Sequence, residues 1–514
     1  MDKSYNWWII VPIIFVLGGI ILPFIYLILF AGGFNPQVLT ENVNVIRFTI
    51  FQALLSSTIT GIIGIPGAYI VARTNLNRFV KSVFRVLSAV PFVLPGVTMA
   101  MGFLLTFGRE GIFTKILHNI GYNKRILYTF TAVIIGHVFY NFPLFIRIVG
   151  ETWEKIEGSL SEAAKLDGAD NMKTFYLIEL PLILPAILKA FLLTYIYTFT
   201  SFAVVLILGG IRFSTIEVSI YMYTRILFDF KSAFTLAIFQ MLFISIISYF
   251  LSIKKGSFIS GKSLKNEFPA WGYFYLILAT IMIFVPLAYS LLSGFIKYGG
   301  GFGVENFKRL FNLNITRFIG ATFKQLVGYS IILPGIASLI SVLLSAIGAF
   351  HSSRGKKLDY IFMLPAAISP VTIAFGYIIM GIKPFFSLIF IYTLITLPIV
   401  FGLLENGWRT INKDIEEAAK LDGANTIILN TKIRFPLMKY HLLTAFVYAF
   451  TISVGEMSAT ITTVEPPIST FSVAIYRLLS ARKIPEARAL NTIYSFIVVV
   501  LFMLIEIKRF NDEQ

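Results

Sequence analysis

Residues 162–169 read Glu-Ala-Ala-Lys-Leu-Asp-Gly-Ala, and residues 417–424 read Glu-Ala-Ala-Lys-Leu-Asp-Gly-Ala again, 255 positions later in a chain of 514. The same offset pairs Pro143 with Pro398, Trp153 with Trp408, Pro181 with Pro436, Ser214-Thr215 with Ser469-Thr470, and Tyr221 with Tyr476. Identity over eight consecutive positions, inside hydrophilic stretches, marks a tandem duplication. Upstream the register changes. Arg73 aligns with Arg354, an offset of 281, which gives the first half about 26 extra residues around 107–127.

Outward from the two octets the chain is apolar in blocks. Overall 57% of residues are hydrophobic and only 13% charged, against about 45–50% and about 25% in soluble domains. Runs such as Trp7 to Ala31, Leu188 to Leu208 and Phe274 to Leu292 carry very few charges. About 20 residues at 1.5 Å each cross a hydrocarbon core of about 30 Å, and only helices or closed barrels satisfy their backbone there. The expected fold is an all-α polytopic membrane protein. Its twelve transmembrane helices are expected at 7–32, 48–72, 83–106, 128–149, 185–209, 233–253, 271–294, 327–350, 358–381, 384–404, 441–463 and 490–507. They form two homologous six-helix halves, 1–260 and 261–514. The first run is long and lacks a small-residue cleavage site, so it reads as a retained span rather than a signal peptide.

The net charge of +17 does not point to nucleic acid, because of where the cations fall. Arg73, Arg78, Lys81 and Arg85 follow span two; Lys254, Lys255, Lys262 and Lys265 follow span six; Arg354, Lys356 and Lys357 follow span eight. All three clusters lie on one side of a twelve-span chain, which the positive-inside rule makes cytoplasmic, with both termini. Arg109, Lys115, Lys124 and Arg125 lie on the opposite side. The absence of Cys excludes disulfides, thiolate metal sites and a cysteine nucleophile.

Each repeated octet reads as a capped helix–turn–helix. Ser159 with Glu162, and Asp414 with Glu417, have capping-box spacing. Gly168 and Gly423 are placed to end the helix in the left-handed conformation. Asp170 and Asn425 read as N-caps of a second helix leading to Pro181 and Pro436. The loops thus run over about 159–181 and 414–436, and the paired alanines leave a face that another protein can approach closely.

This pattern resembles the permeases of binding-protein-dependent ABC importers. Their EAA motif is matched by Glu162, Ala163, Ala164, Gly168, Ile178 and Leu180-Pro181, and again by Glu417, Ala418, Ala419, Gly423, Ile433 and Phe435-Pro436, with Phe replacing Leu. The resemblance covers nearly the whole chain. It implies a MetI-like ABC permease fold in a bacterial cytoplasmic (inner) membrane. It also implies two ATPase subunits, each seated on one coupling loop, and an extracytoplasmic solute-binding protein as partners. No catalytic residue, cofactor or metal is then expected in this chain, and ATP would be bound by the partner.

Other motifs carry less. Gly256 to Ser263 (GSFISGKS) fits the phosphate-binding loop pattern, but it lies in a polar linker with no room for the strand and helix that such a loop requires. Glu456 stands at membrane depth in Gly455-Glu456-Met457-Ser458-Ala459-Thr460, and its counterpart 255 positions earlier is Ser201. The two are possible pathway residues; Glu456 either attracts a cation or bonds a neighbouring helix. His137 and Arg147 lie near the ends of span four, where snorkelling is the simpler reading, and four scattered histidines have no ligand spacing. Pro91, Pro95, Pro365 and Pro370 place kinks in matching spans, and Gly61, Gly64 and Gly67 suggest close helix contact.

The solute is less legible. Ser201 to Val205, Gly209-Gly210, Thr215 to Glu217, Ile220-Tyr221 and Phe107 to Gly111 look like the thiamine permease group. Gly455 to Thr460 and Ala474-Ile475-Tyr476 look like the ferric-iron group. Polyamine, phosphonate and molybdate importers are the alternatives within the class. Outside it stand an ion-coupled secondary transporter and a membrane-embedded enzyme, for which the spans supply no clustered His, Asp or Glu.

Overall fold

The computed structural model describes residues 8–81, 83–84, 95–108, 111–121, 123, 125–252, 265–297 and 301–512. Trp7, Arg85, Pro91, Arg109, Lys124, the linker lysines 254, 255 and 262 and the Gly256–Ser263 motif lie outside them.

The described chain is helical. Its principal helices in the first half are α1 (Ile10–Phe30), α2 (Val43–Arg73), α3 (Gly96–Thr106), α4 (Phe130–Glu154), α5 (Gly158–Leu166), α6 (Asn171–Phe199), α7 (Ile216–Arg225) and α8 (Phe230–Ser252). The second half continues with α9 (Ala270–Leu292), α10 (Phe323–Ser353), α11 (Pro370–Ile379), α12 (Pro384–Thr410), α13 (Lys413–Leu421), α14 (Leu429–Gly455), α15 (Ser458–Thr463), α16 (Phe471–Ser480) and α17 (Ile484–Asp512).

Among the described residues nine helices are long and apolar enough to cross a membrane, or ten if the bent pair around Ile368 is one span. The expected runs largely coincide with these helices but with other bounds, and residues 85–94 of the run over 83–106 lie outside the described residues. Hydropathy sees composition, not backbone continuity. The run over 358–381 is two helical pieces bent by 88°. Of 83–106 the described residues are 83–84 and 95–106, of which Gly96–Thr106 form the eleven-residue α3. The helix expected over 185–209 begins at Asn171 and stops at Phe199, and the one expected over 441–463 breaks at Glu456 and Met457.

Helix faces run opposite to those of a soluble bundle. On α2, Thr49, Gln52, Ser56, Ser57, Thr60, Gly61 and Gly64 are buried, while Phe51, Leu54 and Ile62 are exposed. The small and polar face lies on α4, where a Cβ at Gly64 would press into the Phe145 ring. Lipid offers no hydrophobic force between helices, so close backbone approach and side-chain hydrogen bonds hold them together. The glycine set therefore serves helix contact. The duplicate pair, α10 and α12, repeats this arrangement with Ser338, Ser341, Ser345 and Gly348 buried.

The halves are interlocked. α1 packs on α11 of the second half, and α9 packs on α3 of the first. Each contact joins a proline to a glycine: Pro23 lies on Gly376, and the Pro286 carbonyl lies on Gly102. A polar bond accompanies each, from Tyr377 Oη to the Gly19 carbonyl (3.0 Å) and from Ser290 Oγ to the Thr98 carbonyl (2.7 Å). A boundary at 260 divides the sequence but not the contacts. Where the linker ends, Asn266 pairs with the end of α2 through its N–H to the Arg73 carbonyl (2.7 Å), and its carbonyl accepts from the Asn75 N–H (3.0 Å).

Candidate functional site

The duplicated loops have the same geometry. Gly168 and Gly423 have φ of +84° and +83°, and the N–H groups of Ala169 and Ala424 reach back to the Ala164 and Ala419 carbonyls at 2.9 Å, as a left-handed C-terminal turn requires. The Asp170 carboxylate accepts from the Lys173 N–H (2.7 Å), and Asn425 Oδ1 accepts from the Ile428 N–H (2.9 Å), so both are N-caps. The expected capping boxes are absent. α5 begins at Gly158 after an N-cap Glu157 that makes no side-chain cap bond, and α13 begins after Asn412, whose Oδ1 accepts from the Asp414 N–H (3.0 Å). Ser159 and Asp414 are therefore already inside the first turn, which places Glu162 and Glu417 too deep to cap. Both glutamates are exposed, as are Ala163 and Ala418, while Ala164 and Ala419 are half-buried. At the far end of each helix a leucine stands in the open: Leu166 is 88% exposed and Leu421 is 89% exposed.

What ties each loop to the membrane helices differs between the halves. In the first, the buried Arg73 guanidinium pairs with Glu179 and donates to Ser161 Oγ (2.9 Å) on α5. Glu179 also accepts from Trp153 Nε1 (2.9 Å) and Ser161 Oγ (3.1 Å). In the second half the acid has moved onto the loop helix. Glu416 replaces Ser161 and pairs with Arg434 (2.8 Å), which replaces Glu179, and with Arg354 (2.5 Å), which replaces Arg73. Arg434 sits over the Phe350 ring at 4.6 Å, and Trp408 Nε1 has no partner. The 255-residue register lines up Ser161 with Glu416, Glu179 with Arg434 and Trp153 with Trp408, and the upstream 281-residue register lines up Arg73 with Arg354. Identities between the halves do not reveal this exchange, because its signal is a compensated difference.

Burial pushes the Glu416 carboxyl up, but the Arg434 and Arg354 guanidiniums outweigh it and hold the group below its ordinary range. A carboxylate with a depressed pKa contributes stability that is present above its unfolded pKa and is lost as pH falls through the folded value. Acidification below about pH 4.5 is thus expected to lower the apparent melting temperature, less so in Glu416→Gln. Parallel pH curves for the two proteins would sink this.

Between the halves lies a cavity of about 510 Å³, walled by α4, the ends of α6 and α14 and the break before α11. Ser201 and Glu456 both line it. Glu456 Oε1 accepts from Ser458 Oγ (2.6 Å) and the Ala459 N–H (2.9 Å); Oε2 accepts from the Thr460 N–H (3.0 Å) and Oγ1 (2.8 Å). The carboxylate therefore caps α15, where the helix end favours negative charge. Ser201 occupies the corresponding place beyond α6, ahead of the helical segment that runs to Gly209, but brings no carboxylate to its start. His137 is not at a helix end: it lies in the cavity wall with Asn141. Pro95 and Pro370 begin α3 and α11 rather than kinking a continuous span. A second buried acid, Glu217 on α7, accepts from Ser369 Oγ (2.7 Å) across the halves and from Gln240 Nε2 (2.5 Å). Hydropathy does not mark Glu217 as an acid at membrane depth, because the ten-residue α7 is too short to register as a span. No group of three metal-ligating side chains occurs among the described residues.

A duplicated helical membrane protein with a cavity at its pseudo-symmetric interface and a matching exposed helix on each half is a transport permease. Residues 64–253 and 341–507 each match the family described as binding-protein-dependent transport system inner membrane component, and the chain belongs to that family. Among curated relatives it is 27% identical to a putative ferric transport system permease protein, FbpB 1, of Haemophilus influenzae, over 85% of this chain and 74% of the relative. It is 25% identical to the thiamine transport system permease protein ThiP of Brucella abortus, over 92% and 89%. A probable transport system permease protein, NifC, of Clostridium pasteurianum is 27% identical over 46% of this chain and 83% of the relative.

Proposed function

We propose that this chain forms the whole membrane pathway of an ATP-driven importer, with one ATPase subunit docked on α5 and another on α13. The observation that carries the reading is the pair of helices that end in the same largely exposed Glu-Ala-Ala-Lys-Leu stretch and the same glycine turn, each presenting a bare leucine beside small alanines. An apolar side chain almost wholly in water at a well-ordered helix end suits a partner's cleft. The basic residues Arg73 and Arg354 contact these same loops, which supports a cytoplasmic location for this end of the molecule. The chain itself performs no covalent chemistry; ATP is hydrolysed by the separate subunits, and a binding protein delivers solute from the opposite side. The solute class follows the two groups of relatives, ferric iron or thiamine. Measuring the partner binding protein's affinity for Fe³⁺ and for thiamine decides between them.

Leu166→Asp and Leu421→Asp test the docking. Each is expected to lower ATP-dependent uptake at least tenfold and to reduce co-purification of the ATPase, with the melting temperature unchanged because neither side chain is buried. Full uptake in the double variant would refute the proposal.

A further inference from the structure

We infer that the cavity between the halves is itself a solute-recognition site for a flat, cationic nitrogen heterocycle, read at its ring edge by His137 and Asn141. This rests on the importer reading above.

The two walls differ in how their polar groups are satisfied. On the second-half wall Glu456 caps α15 with both oxygens, and Ser369 donates to Glu217. On the first-half wall His137 is 2% exposed and neither ring nitrogen has a partner. Asn141, also 2% exposed, spends its amide nitrogen on the His137 carbonyl (2.8 Å), leaving Oδ1 without a partner. The residues are one turn apart on one face of α4, and both line the cavity. Buried polar atoms are almost always paired, and exceptions call for a reason.

The duplication supplies the comparison. The counterparts of His137 and Asn141 at the 255 offset are Tyr392 and Thr396. Tyr392 Oη bonds Thr460 Oγ1 (2.6 Å), and Thr396 Oγ1 donates to the Tyr392 carbonyl (2.9 Å). The second half thus holds a self-satisfied solution at these positions, and the first half departs from it where the side chains face the cavity.

The remaining lining selects the ligand. Tyr140, Tyr197, Phe202 and Tyr448 contribute rings, Glu456 contributes negative charge, and the lining contains no Lys or Arg among the described residues. Oxyanions such as phosphonate or molybdate would find no counter-charge. A bare ferric ion would find no cluster of ligands. A planar cation gains from aromatic faces, and an amino-substituted ring edge offers the donor and acceptor that Asn141 Oδ1 and an imidazole can meet. The volume lies within the range of small-molecule sites.

The chain, purified from membranes with its ATPase and free of binding protein, is tested with tritiated thiamine, with competition by the free aminopyrimidine fragment and by ferric citrate. Saturable thiamine binding is expected, displaced by the fragment and not by ferric citrate. His137→Leu and Asn141→Leu should each weaken it about tenfold, and His137→Gln, which keeps a donor and an acceptor, should weaken it less. ATPase co-purification and melting temperature should not move. Equal binding by wild type, Asn141→Leu and His137→Gln, no saturable binding, or displacement by ferric citrate each overturns the proposal. Loss of the ATPase from the wild-type preparation would instead count against the importer reading, and the binding comparison would still decide the site.

Discussion

Glu416→Gln is expected to destabilise the second half by roughly 3–5 kcal/mol, the usual cost of removing one partner from a buried ion pair. The carboxylate is nearly inaccessible, and Arg434 beside it is only 10% exposed. The variant leaves that guanidinium, held between Phe350 and the loop helix, without its counter-charge. The first half indicates a cure. There the same three places hold Ser161, Glu179 and Arg73, so Glu416→Ser combined with Arg434→Glu rebuilds that arrangement around Arg354. It also gives Trp408 Nε1 the acceptor that Trp153 already has in Glu179. The double variant is expected to recover most of the loss, whereas Arg434→Glu alone sets two acids together and should be worse than Glu416→Gln. Apparent melting temperatures of the purified chain give the cycle. Single and double variants that add without coupling would show that the two clusters are not equivalent solutions.

Gly102→Val is expected to abolish stable folding, and Gly376→Val to impair it. A side chain at 102 collides with the backbone carbonyl of Pro286, which cannot rotate away, and α9 must then leave α3. At 376 the obstacle is the Pro23 ring, 2.5 Å from the new Cβ, on a helix with most of its surface toward lipid. Overpacking in a rigid contact costs about 1–3 kcal/mol and more when backbone must move, so 102 should be the harsher site. Detergent-stable yield and a monodisperse elution profile measure both. Wild-type behaviour of Gly102→Val would show that the helix exchange does not hold the halves together.

The repeat made the loops legible in detail, down to the glycine turns and the Asp170 and Asn425 caps, because these rest on local backbone rules. Helix starts were not legible to that precision: several polar residues precede each octet, and Glu157 or Asn412 could begin the helix as well as Ser159 or Asp414. The short helices α3, α11 and α15 were hidden inside apolar runs, since Pro95, Ser369 and Glu456 interrupt the backbone without lowering hydropathy enough to register. Glu456 was legible as an acid at membrane depth, but its role as a cap depends on a break visible only in three dimensions. Partner choice was the least legible feature. Nothing in the composition of α1 distinguishes packing on its own half from packing on the other.

That exchange of first helices also orders events in time. Pro23 emerges from the ribosome 353 residues before Gly376. At about 5–20 residues per second, roughly 20–70 s pass before α1 meets its partner. Throughout that interval α1 lacks its partner α11, and α3, though it touches α4 of its own half, likewise lacks α9. A chain truncated after the first half is therefore expected to leave the faces of α1 and α3 that meet α11 and α9 uncovered.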